Sequence, residues 1–161
     1  MKKLAALLLT AVMMLSLTAC GNTGSDEEVK EPETVGEFLL QDFKKNPEGS
    51  AQEVADRLIQ NKILPFEAVT MPVEPGFLTG FDNAEITGFS EGVMFAPMMG
   101  TIPFVGYVFG LEDGADVDGF VQTLEDSANL RWNICTEAEE MVAEAEENTV
   151  FFLMCPKSFE E

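Results

Sequence analysis

An α+β fold is what this 161-residue chain predicts, as a single domain with a mainly antiparallel sheet and helices packed on one face. Three observations lead there. Two capping boxes open helices near the start of the folded part, and apolar segments punctuated by Gly and Pro fill the middle. Helical spacing returns after Asp116 and gives way to a short apolar strand near the end. Strands grouped together with helices flanking them belong to α+β architectures and not to alternating βαβ ones. The length suits one domain able to bury its own core.

Each element has its own justification. Thr34-x-x-Glu37 and Ser50-x-x-Glu53 match the pattern in which a hydroxyl and a carboxylate satisfy the orphan amides of a helix start. The first opens a short helix with Val35, Phe38, Leu39 and Phe43 apolar, ending before Pro47. The second runs to about Asn61 and places Ala51, Val54, Ala55, Leu58 and Ile59 on one face. Glu67 to Val73 alternates loosely, and Pro72 and Pro75 argue against an interior position. Phe77 to Phe81 continues that segment after a turn at Pro75-Gly76, and Ala84 to Phe89, Gly92 to Met98 and Ile102 to Leu111 follow as strands.

From Gly92 to Leu111 the chain carries no charge over twenty residues, long enough to raise a membrane span. Pro97, Gly100, Pro103, Gly106 and Gly110 would interrupt such a helix, so two strands joined at Met99-Gly100-Thr101 are the better reading. Asp116 then begins a helix with Val117, Phe120, Val121, Leu124 and Ala128 at helical spacing. Thr136-x-x-Glu139 predicts one more helix, with Ala138, Met141, Val142 and Ala145 inside and Glu140, Glu144 and Glu147 outside. Thr149 to Met154 is an almost wholly apolar strand suited to a central place, stopped by Pro156.

The N-terminus carries an address. Lys2 and Lys3 precede an apolar run from Leu4 to Leu17, and small residues lead into Leu17-Thr18-Ala19-Cys20. This stretch resembles the lipobox of bacterial lipoproteins. The resemblance implies removal of residues 1–19, multiple acylation at Cys20 and location on the extracytoplasmic face of the cell membrane, with palmitate among the acyl groups. Residues 20–33, small, polar and acidic, read as a self-repelling tether. The folded domain then covers 34–161. The segments TEAEEMVAEAEE and NTVFFLMCP are similar to the C-terminal half of small lipoproteins of Gram-positive gut bacteria that carry a domain of unknown function. That likeness implies no activity.

Composition limits the partners. Losing residues 1–19 removes two of nine bases and none of 29 acids, a change in formal charge from −20 to −22. Such a surface repels phosphate backbones and anionic membrane surfaces, which argues against nucleic acid and makes the lipid the tether. The expected partners are the membrane through Cys20 and an envelope protein or small ligand through the domain. With no histidine in the chain, His-based triads, imidazole bases and His-ligated zinc are excluded. Gly106-Tyr-Val-Phe-Gly110 has neither the spacing nor the lysine of a P-loop.

Few residues remain as site candidates. Cys135 and Cys155 are an even remainder after the lipobox, readable as a disulfide or as two buried thiols. Asp116, Asp118, Gly119 and Glu125 partly match a calcium loop, but Gly114 stands where its first aspartate belongs. A turn at Asp113-Gly114 and a helix cap at Asp116 explain the same residues. Met98 and Met99 either present an adaptable apolar loop to a partner or plug the core. The expectation is a non-enzymatic binding domain without a cofactor. A cation-dependent or carboxylate-based envelope enzyme is the alternative.

Overall fold

The structure, a computed structural model, describes residues 31–99 and 101–159. Cys20 and the expected signal segment lie outside the described residues. Residues 31–33 of the expected tether precede the first helix as irregular chain.

Both capping boxes form. Helix α1 spans Val35–Lys45 and α2 spans Ala51–Leu58, with the Thr34 and Ser50 hydroxyls accepting from the Glu37 and Glu53 amides. Glu37 and Glu53 return the bond to the cap backbone, so each carboxylate works locally.

The strands are β1 (Ala68–Pro72), β2 (Gly76–Phe77), β3 (Glu85–Ile86), β4 (Glu91–Pro97), β5 (Val105–Gly110), β6 (Glu140–Glu146) and β7 (Thr149–Cys155). Helix α3 (Val117–Ser127) stands between β5 and β6. Five strands make one antiparallel sheet in the order β1-β4-β5-β7-β6, while β2 and β3 form a small separate ribbon. Pro72 closes β1 at the sheet edge, the position open to a residue with no amide proton. The uncharged stretch from Gly92 to Leu111 supplies β4, β5 and their connection. Among the described residues no helix is long and apolar enough to cross a membrane.

The α+β class and the antiparallel sheet are as the sequence predicts, and the helices divide between the two faces. Along β5 and β7 alternate side chains enter two separate cores. Val108, Phe151, Leu153 and Cys155 meet Leu39, Phe43, Val54 and Leu58 of α1 and α2. Tyr107, Phe109, Phe152 and Met154 meet Phe120 and Leu124 of α3, together with Phe81, Ile86 and Phe89 around the small ribbon. Expecting all helices on one face overlooked that two buried sheet faces each need a cover. Central β5 and β7 are buried on both sides, which is why they read as unbroken apolar runs.

The expected helix after Thr136 is instead β6, an edge strand paired with β7 through a two-residue turn at Glu147-Asn148. Glu147 takes a positive φ of 53°, as the first turn position of a tight hairpin requires. Helix propensity in Ala- and Glu-rich sequence is a weak prior, and pairing with an already buried strand overrides it. The glutamates along β6 also charge an edge that would otherwise recruit another strand.

Candidate functional site

Several chain segments converge at one end of the sheet. The register Ala68↔Pro97, Val105↔Met154 and Glu140↔Cys155 brings the start of β1, the β4–β5 connection, the end of β7 and the start of β6 together. The first amide of α1 joins them, since Val35 N–H donates to Lys157 O at 2.9 Å. Met98 follows β4 directly and donates its amide to Glu67 O at 3.0 Å, which turns the chain out of the sheet. Met98 is 52% exposed and Met99 83%, so these residues are surface and do not plug the core.

Sequence reasoning missed Ile134, which is 98% exposed in the connection between α3 and β6. The Thr136 hydroxyl donates to Thr101 O at 2.7 Å and ties that connection to the methionine loop. The available signal was weak: Ile134 sits in the polar run Asn133-Ile134-Cys135-Thr136, outside any predicted element.

Cys135 and Cys155 are not joined. Both are free thiols, Cys135 exposed beside Ile134 and Cys155 buried at the end of β7. An even remainder of cysteines therefore gives neither the disulfide nor two buried thiols, since only Cys155 is buried. Cys155 Sγ lies 3.4 Å from Glu140 Oε1 and donates to it, and the same oxygen accepts from Gly36 N–H at 2.7 Å. Burial pushes this thiol up, and the neighbouring Glu140 carboxylate pushes it further. The protonated thiol and one carboxylate thereby clamp the start of α1 to the β6–β7 pair, a structural task.

The calcium-loop residues adopt the simpler arrangement. Asp116 Oδ1 caps α3 by accepting from Gly119 N–H at 3.0 Å. Asp118 and Glu125 point outward from a continuous helix, seven residues or about 10 Å of rise apart, too far along it to close on one ion. Among the described residues no group of three or more Cys, Asp or Glu side chains could hold a metal. Tyr107, the chain's single tyrosine, donates to Thr79 O at 2.8 Å, and burial raises its pKa above the ordinary range.

Two surface depressions could receive a small molecule. One of about 360 Å³ lies beside the start of α1, edged by Phe38, Ile63, Lys157 and Phe159. The other, about 430 Å³, is edged by Ser90, Glu112 and Asp113 at the opposite end of the sheet. The first combines apolar walls with charged groups of both signs, Lys157 and Glu33, at its edge.

No protein-family model, curated protein or solved structure matches the chain.

Proposed function

We propose that this chain is a lipid-anchored extracytoplasmic protein whose α+β domain is a binding module and not an enzyme. The observation that carries this reading is Leu17-Thr18-Ala19-Cys20 behind a basic start and an apolar run. The layout of the domain is consistent with it. Thr34 caps α1 immediately after the acidic stretch, so the first described helix begins where the expected tether ends. Several groups with the chemistry to react serve the fold instead: Tyr107 and Cys155 are buried and held protonated, while Glu37, Glu53 and Asp116 cap helices. Binding falls to the surface, to an envelope protein or to a small ligand in the Phe38–Lys157 depression.

Metabolic labelling with an alkynyl palmitate, followed by membrane fractionation, tests the anchor. The wild-type protein should take up label and sediment with membranes. Cys20→Ser should lose the label and accumulate as the uncleaved precursor. An unlabelled wild-type protein, or a variant processed and labelled like wild type, overturns the reading.

A further inference from the structure

We infer that Met98, Met99 and Ile134 form a membrane-docking foot that rests on the lipid bilayer beneath the domain. The inference builds on the lipid anchor proposed above and adds an orientation and a lipid contact.

Glu31 to Thr34 lead into α1 at the end of the sheet where Val35 N–H meets Lys157 O. The methionine loop and the Ile134 loop occupy that same end, held to each other through Thr136 and Thr101. Among the described residues six large apolar side chains are exposed: Phe38, Met71, Phe77, Met98, Met99 and Ile134. The two most exposed, Ile134 and Met99, belong to this end, as does Met98, whereas Met71 and Phe77 lie on β1 and β2.

The tether sets the occupant. Ten residues separate Cys20 from Glu31, a segment that spans at most about 40 Å even fully extended. An acylated Cys20 thus keeps this end of the domain close to the bilayer, where the high local concentration of lipid favours even a weak contact. Methionine is unbranched and adaptable, so Met98 and Met99 can bury in fluid acyl chains without a shaped pocket. A domain carrying many more acids than bases is repelled by anionic headgroups, so apolar insertion and not charge drives the contact.

Trp132, the only tryptophan, lies two residues before Ile134 in the same loop and reports on depth. The acylated full-length protein is reconstituted into phosphatidylcholine vesicles with and without brominated acyl chains. Vesicle flotation and Trp132 quenching are read on the same samples. Docking predicts that the protein floats and that brominated lipid quenches Trp132. A Met98→Ser/Met99→Ser/Ile134→Ser variant should still float and keep its unfolding midpoint but lose the quenching, while Phe77→Ser keeps both. Protein that floats with unquenched Trp132 overturns the docking alone, as does equal quenching in the triple variant. Protein that fails to float overturns the anchor and the docking together. If quenching is missing and a photo-crosslinker at position 99 captures a protein in intact cells, the loop serves a protein partner and the lipid contact is wrong.

Discussion

Replacing Gly106 with alanine should destabilise the domain through one identifiable ring. Gly106 sits in β5 directly opposite Phe95 of β4, and a Cβ there would collide with Cζ, Cε1 and Cε2 of the Phe95 ring. The ring has little room to retreat, because Phe104 and Phe151 flank it at centroid distances of 5.9 and 6.3 Å. Overpacking a filled core costs about 1–3 kcal/mol, and three blocked ring atoms place this site near the upper end. Lost freedom of the unfolded glycine offsets roughly 0.5–1 kcal/mol of that cost, leaving about 2 kcal/mol. For a unit of this size, Glu31–Glu161, that corresponds to a fall in Tm of about 6–9 °C. Thermal and urea unfolding of Gly106→Ala, Phe95→Leu and the double variant form the assay. If the clash with the ring is the cause, Gly106→Ala should cost less than about 1 kcal/mol in the Phe95→Leu background. An equal cost in both backgrounds refutes the reasoning, because the strain would then come from something other than Phe95.

Three further outcomes follow from contacts described above. Glu140→Ala strips the acceptor from Gly36 N–H and from the Cys155 thiol, and should cost about 1–3 kcal/mol in urea unfolding. Thr34→Ala removes the hydroxyl half of the α1 capping box and should cost about 1 kcal/mol, read as a fall in Tm of a few degrees. Because burial raises Cys155 and Tyr107 in the folded state, above about pH 9 the unfolded chain sheds protons that the folded chain keeps. Stability is therefore complete at neutral pH and should fall as pH rises, with a shallower fall in Cys155→Ala; a flat urea midpoint from about pH 8 to about pH 10.5 would contradict this.

The helices α1, α2 and α3 were legible because their signals are local. A hydroxyl or carboxylate cap acts on amides within three residues, so Thr34, Ser50 and Asp116 declare helix starts whatever the rest of the chain does. The central strands β5 and β7 were legible as apolar runs for a similar reason, since burial on both faces leaves no place for charge. Segment 140–146 shows the opposite case. Its composition favours a helix, yet Met141, Ala143 and Ala145 alternate with Glu140, Glu144 and Glu146, and Val142 alone breaks the pattern. The period-2 signal was present, but it becomes decisive only when β7 offers an open edge.

The candidate site divides in the same way. Sequence alone determined the Leu17-Thr18-Ala19-Cys20 stretch that resembles a lipobox, the acidic stretch behind it and the lack of histidine, because each is covalent composition that folding leaves unchanged. It also singled out Met98 and Met99, though not whether they point inward or outward. Only the tertiary structure decided that they are exposed, that Ile134 joins them, and that Cys155 binds Glu140 and not Cys135. Those outcomes rest on strand register and on a hydrogen bond between Thr136 and Thr101, residues 35 apart in sequence. Proximity of that kind is set by the closure of the whole sheet, and no local spacing encodes it.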